Sequence, residues 1–381
     1  MTKKEKGGFS MDKETLSNYG WIVICVLVLA VMLAFATPFG SFVSTAVKST
    51  TQGLFDVNYS ALNSTGLINI GHQSFDTSSD PALNPDNGEE VYNEMVYISG
   101  EYEYRYNQYY GGEYWETDES QNGWGVRCNN NVANPGPILE SINGEPVVTI
   151  QNVFYGCTNL TDAPAIPKTV KNVASAFSGC VLLTKSPEIP NGVTNMHSTF
   201  YGCTALVNAP KIPNTVTIMD GTFYNCQSLA NAPVLSANTT EMYFIFYNCK
   251  SLTTAPAIPN GVTNMQGAFE ACTSLTVAPA IPSTVTDMAW AFTRCESLVN
   301  APDMSKATNV QNMFGSFSGC INLTTGPRIP SSAQDITNTY SGCHNITGTV
   351  EVPCTLTASF VGFNAEIVYY HVDGCHGTCG K

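Results

Sequence analysis

From Gln151 onward, apolar residues recur roughly every three positions, and each kind returns every 23 residues. Phenylalanine stands at 154, 177, 200, 223, 246, 269, 292 and 317, with Tyr340 in the last place. Cysteine follows each of these by three, at 157, 180, 203, 226, 249, 272, 295, 320 and 343, and leucine follows the cysteines by three, from Leu160 to Leu323, with Ile346 closing. Prolines such as Pro164 and Pro256, then Ile-Pro pairs such as Ile258-Pro259, lead to a methionine column at 196, 219, 242, 265 and 288, with Val173 in the first unit. Self-similarity at a fixed period of this length marks a solenoid. Two prolines per unit exclude helical hairpins, because each would remove a helix hydrogen bond at a cost of about 3 kcal/mol. The pattern therefore predicts a β-containing coil. Phe-x-x-Cys suits one short helical or 3-10 turn, Leu-x-x-Ala-Pro-x-Ile-Pro a short strand and bend, and Asn-Gly-Val the start of the return. One unit buries almost nothing alone. Stacked in register, nine coils at about 4.8 Å each make a rod roughly 43 Å long in which every column becomes a ladder.

Written as AFxxCxxLxxAPxIPxxVxxM, the unit resembles the BspA-like leucine-rich repeat, as at Ala268-Phe269-Glu270-Ala271-Cys272-Thr273-Ser274-Leu275. The resemblance spans about residues 150 to 350. It implies a β-rich leucine-rich-repeat solenoid on a surface-exposed protein that binds a protein or host surface, sometimes in adhesion. It names no ligand. Two departures stand out. The Met column and the Ala-Pro before Ile-Pro replace the family's Ile-rich strand. Repeat seven carries two extra residues, which the Phe and Cys spacing places in Asn309 to Phe317, as a bulge or as a contact loop.

Ahead of the repeats the pattern changes twice. Trp21 to Ala36 is an unbroken apolar run, and Tyr19 to about Phe42 is long enough to cross a bilayer. Lysines lie mostly before it, so residues 1–18 are expected in the cytoplasm, 19–43 as a retained signal anchor, and everything after about residue 45 outside the cell membrane. A signal peptide cleaved after Ala34-Phe35-Ala36 and a pilin-like leader at Gly8-Phe9 are the alternatives, and all three export the chain. Residues 44–90 read as a linker, rich in Ser, Asp, Asn, Pro and Gly toward its end. Residues 91–150 form a Tyr-rich β module that caps the solenoid, with tyrosines alternating around Gly111-Gly112 as in a hairpin with one aromatic face. A sharper reading makes Tyr109, Tyr110, Tyr114 and Trp115 a carbohydrate-stacking patch. Residues 351–381 read as a C-terminal cap.

The chain has 381 residues, 43% of them hydrophobic and 12% charged, which excludes a disordered tail. Of its 16 basic and 30 acidic side chains, 11 and 27 fall after residue 50, leaving that region at −16. With no basic stripe, nucleic acid is excluded as a partner. An exported chain with 14 cysteines would ordinarily be a disulfide framework, but a column of nine beside Phe and Leu suits buried thiols better. Cys128, Cys354, Cys375 and Cys379 fall outside the column. A Cys375–Cys379 or Cys354–Cys375 disulfide closing the last coil is expected there, ahead of zinc on His371, Cys375, His376 and Cys379, whose spacing fits no standard finger.

Catalysis finds little support. A Ser-His-Asp or Cys-His arrangement would have to draw on His197 or His344, each in a variable repeat position, and no paired carboxylates or phosphate-cradling glycines are present. No catalytic, cofactor or metal residue is assigned, and no cofactor is expected. Three functions remain: a binding or adhesion module, a structural surface-layer or pilus-associated component, and carbohydrate binding by the Tyr-rich module with the solenoid as its stalk. The first predicts a side of the solenoid whose residues vary between coils yet form one aromatic or acidic patch, read by a surface protein or glycan.

Overall fold

A computed structural model describes residues 67–69, 95–110, 115–117, 122–128, 131–358, 362 and 364–372. The expected cytoplasmic segment 1–18, the membrane anchor 19–43 and nearly all of the linker 44–90 lie outside these residues. Among the described residues no helix is long and apolar enough to cross a membrane.

Coils are named here by their ladder aromatic, coil 1 holding Phe154 and coil 9 Tyr340. Ladder rings stack almost parallel along the core, as with Phe200 on Phe223 at 5.8 Å, Phe223 on Phe246 at 5.5 Å and Phe317 on Tyr340 at 5.6 Å. The Phe, Cys, Leu and Met columns are fully buried from coil 2 through coil 8. Every ladder cysteine from Cys180 to Cys343 donates its thiol proton to the carbonyl of the Phe one coil back, at 3.2 Å for Cys180 to Phe154 and 3.1 Å for Cys249 to Phe223. Each of these carbonyls also accepts the amide of the cysteine in its own coil, as Phe154 does from Cys157 at 3.0 Å, so the weakly polar thiol finds its partner on the carbonyl's second lone pair. Nine unbridged ladder thiols agree with the packing argument.

Around each ladder Phe the chain forms neither a helical nor a 3-10 turn. Alternate N–H groups point along the stack instead, Ile150 to Asn172, Asn152 to Ala174, Phe154 to Ala176 and Gly156 to Ser178, while the residues between them close local turns such as Val153 to Ile150 and Tyr155 to Asn152. Residues two before and two after the Phe take positive φ, as at Asn152 (55°) and Gly156 (71°). A helix would spend all these donors within its own coil. The alternating turn sends every second one to the next coil, which is how the backbone bonds neighbours without strands.

The expected strand over Leu-x-x-Ala-Pro-x-Ile-Pro is likewise replaced. Parallel pairing is confined to isolated bridges in two columns, one just before the Met column (Asn172 to Asn195 to Ile218) and one two residues after the leucine (Lys185 to Asn208 to Asn231). Proline explains the brevity of the second column, since Pro187, Pro210 and Pro233, two residues further on, lack the N–H that would extend the bridge. The two extra residues of repeat seven also sit elsewhere than Asn309 to Phe317. Pairing still runs 22 residues ahead from Ile281 to Asp303, but 24 from Met288 to Asn312, so they precede Val310, in a turn where Ala307 N–H bonds Met304 C=O at 2.9 Å. The Phe and Cys spacing records the insertion only after the chain has passed it.

Residues ahead of coil 1 form a six-stranded sheet in the order β1-β2-β3-β6-β8-β7. Its strands are β1 (Leu67–Asn69), β2 (Met95–Ser99), β3 (Tyr102–Tyr106), β6 (Trp124–Cys128), β7 (Ser141–Ile142) and β8 (Glu145–Thr149). The hairpin expected around Gly111-Gly112 is present as β4 (Gln108–Tyr110) paired antiparallel with β5 (Trp115–Thr117). The alternating tyrosines of β3 turn inward. Tyr102 and Tyr104 are buried, and Tyr102 meets Phe154 edge-on at 6.2 Å, so sheet and coils share one core. Past coil 9, β9 (Thr349–Pro353) and β10 (Glu366–Tyr370) pair in parallel. Cys354 is disulfide-bonded, and its partner lies outside the described residues, as do Cys375, His376 and Cys379.

Candidate binding surface

The alternating turn decides which side chains reach solvent. Positions three before, two before and one after the ladder Phe lie at the rim of the core, where small residues such as Ala174, Ser178 and Ala289 stay buried and larger ones reach solvent, and neighbouring coils bring like positions together. Those one after the Phe read Tyr155, Ser178, Tyr201, Tyr224, Tyr247, Glu270 and Thr293 in successive coils. Tyr201 stacks on Tyr224 at 4.3 Å and 6°, and Tyr224 on Tyr247 at 4.3 Å and 12°. These rings stand closer than the core stack and are in van der Waals contact. Burial within the stack, then the hydrogen-bonding phenols of Tyr201 and Tyr247, pushes the Tyr224 hydroxyl well above its ordinary range.

Coil 5 widens the cluster. Phe244 meets Tyr243 at 4.4 Å, Tyr247 at 5.6 Å and Tyr224 at 6.4 Å, each edge-on. It does so from a φ of 49°, a conformation that bulky residues rarely adopt. Its ring lies over Gly267 of coil 6, where an added Cβ would collide with the ring. Trp290 repeats the arrangement in coil 7, at φ 54° over Gly315 and edge-on to Phe314 at 5.3 Å. Tyr201 and Tyr243 keep 40% and 41% of their surface exposed, so the cluster is no extension of the core.

Carboxylates rim these rings. Asp220 of coil 4 is half-buried and one of its oxygens is buried without a hydrogen-bond partner. Burial raises its pKa against the opposing pull of His197 and the Tyr243 amide. Burial raises that of Glu270 in coil 6 too, against the pull of Arg294. Glu270 follows Tyr247 in its column, so the stack's outer face opens onto a carboxylate. Exposed Glu241 and half-exposed Asp287 stand on the bridge column beside them.

Other expected sites fare differently. The side chains of Tyr109, Tyr110, Tyr114 and Trp115 lie outside the described residues. His197 and His344 are exposed, as their variable positions imply. His197 Nε2 lies 3.3 Å from Ser198 Oγ, but these are chain neighbours on an exposed surface, and the pair is assigned no nucleophilic role. A cleft of about 610 Å³ on the opposite, proline-rich side is lined by the inserted turn, Pro327–Ser331 and Tyr370–Val372. Its guanidinium, Arg328, already lies 3.6 Å over the Tyr370 ring and 3.2 Å from Glu351. The surface that sequence reasoning did not locate was signalled by Tyr201, Tyr224 and Tyr247, whose 23-residue spacing places them in one column.

The coil geometry and its column pattern fit one family's sequence profile. The BspA type leucine rich repeat region matches in six copies over residues 145–253, 194–324 and 266–359, more than half of the chain. The chain belongs to this BspA-type family. Solved leucine-rich-repeat structures are similar to it. A Treponema pallidum protein (T. pallidum leucine rich repeat protein) is 28% identical, with 47% of this chain and 85% of that one covered at a TM-score of 0.42. One from Bacteroides ovatus is 20% identical over 68% and 97% at 0.28, and a leucine rich cell surface protein of Faecalibacterium prausnitzii 19% over 73% and 96% at 0.36. No curated protein matches the chain.

Proposed function

We propose that this BspA-type protein is a non-catalytic binding module at the cell surface, held to the membrane by residues 19–43, and that it recognises a partner protein through the aromatic face of coils 3 to 8. The observation that carries this reading is the exposed cluster of Tyr201, Tyr224, Tyr243, Phe244 and Tyr247. Monomeric surfaces rarely expose contiguous apolar rings, and Tyr and Trp dominate the energetics of protein interfaces. The cluster also bears a cost. Phe244 and Trp290 occupy strained φ values at positions where Gly221 and Gly267 stand in other coils, so the core does not require aromatic residues there.

Adhesion is the corresponding use in an anchored, exported chain. The test compares capture of surface proteins by the full chain and by its Tyr201→Ala/Tyr224→Ala/Tyr247→Ala variant, with circular dichroism to verify the fold. Loss of the captured proteins, by at least about tenfold in affinity, is expected for anchors of this kind. Full retention by a folded triple variant would remove the face from the binding account.

A further inference from the structure

The aromatic face carries an electrostatic imbalance that its role as an anchor does not need. Over coils 4 to 7 it holds Asp220, Glu241, Glu270 and Asp287 and one guanidinium, Arg294. The whole chain is at −14, so no long-range field offsets this local charge. Two of the four carboxylates are held unfavourably. Asp220 keeps a buried oxygen without a hydrogen-bond partner, and Glu270 is half-buried with Arg294 acting on it only at a distance, in no ion pair among the described residues. A desolvated carboxylate oxygen that lacks a donor gains most from a cation brought to it, since the desolvation has already been met in the free protein.

Placement adds the second half of the argument. One face of the Tyr247 ring is covered by Tyr224, and the other looks toward coil 6, where Glu270 takes the place of a ring. Phe244 closes the side, edge-on to Tyr247 and lying over Gly267. A guanidinium or ammonium seated there would meet an aromatic face and a carboxylate together, a pairing that favours cations more than either element alone. Asp220 offers a second carboxylate two coils back, in coil 4 beside the Tyr243 amide.

We infer that the occupant of this face is a basic segment of a partner protein, its Arg or Lys side chains set between the tyrosine stack and the carboxylates of Asp220 and Glu270. This rests on the binding reading above and names the chemistry of the partner. Like charges disfavour a second copy of this acidic chain as the occupant, and four carboxylates against Arg294 and the His197 imidazole give an acidic partner little to pair with.

The test uses the full chain in neutral detergent and two synthetic twelve-residue probes, one of alternating Gly and Arg and one with citrulline in place of every Arg. Citrulline keeps the shape and removes the charge. Fluorescence anisotropy should show the Arg probe binding at least about tenfold tighter than the citrulline probe, with affinity falling as salt rises. Asp220→Asn/Glu270→Gln should lose about tenfold for the Arg probe, whereas Asp162→Asn/Asp303→Asn, which removes the same charge from exposed positions off this face, should lose much less. Equal binding of the two probes, or equal losses from the two double variants, overturns the inference. The two readings fail separately. If the triple tyrosine variant loses captured surface proteins while Asp220→Asn/Glu270→Gln keeps both them and the Arg probe, the face binds but not through cations.

Discussion

Phe246 shows what one side chain does in a stacked coil. It is fully buried, lies between Phe223 at 5.5 Å and Phe269 at 5.6 Å, and its carbonyl accepts the Cys272 thiol at 3.1 Å. Phe246→Ala should therefore cost about 3–5 kcal/mol, and because it breaks two neighbour contacts in mid-stack it should split one urea transition into two. A loss under about 1 kcal/mol in a single transition would contradict the ladder. Core residues of this kind were plain in the sequence, since a 23-residue period repeats them many times. Residues at the positive-φ positions were not. Asn152 and Gly156 carry the usual chemistry for such a backbone, but Phe244, Trp290 and Arg294 hold the same conformation and give no local sign of it. Hydrogen bonds to the next coil impose it on them.

At the scale of the coil, the unit is the full set of donors sent forward, such as Phe246 to Ala268 and Asn248 to Glu270, each 22 residues ahead. Removing residues 177–199, one whole 23-residue period, should leave a folded protein shorter by a coil, because Ala176 then meets Phe200 in the same column order. Removing 177–198 leaves one extra residue directly beside the ladder Phe, where no loop absorbs it, and should lower stability well below that of the 23-residue deletion. Circular dichroism with urea titration distinguishes the two, and equal stability of both deletions would mean that register does not hold the stack. Repeat seven shows the tolerance that exists. Its two extra residues are absorbed by the turn at Ala307, and register resumes at Val310. Sequence reasoning recovered the existence of this insertion and misplaced it, and it assigned a strand and a helical turn where proline and forward-directed N–H groups allow only bridges and alternating turns.

For the whole molecule, the stack decides both chemistry and exposure. Burial pushes the thiols of Cys203, Cys272 and Cys343 up to about 12 and that of Cys157 to about 11. At neutral pH the thiolate, the reactive form, is then scarce as well as inaccessible. A thiol reagent such as DTNB should leave the nine ladder cysteines unmodified in the native protein and reach all of them in urea, and rapid native labelling of any central one would rule out the closed core. Nine unpaired thiols are stable on this account without being bridged. The sequence by itself determined the period, the core columns, the family and the relation of each coil to the next, because a repeated pattern states its own register. Only the tertiary structure decided that Tyr201, Tyr224, Tyr247, Phe244 and Trp290 share one exposed face with Asp220 and Glu270. The reason is that outward direction follows backbone φ, and in these turns φ is set by hydrogen bonds to a coil 22 residues away.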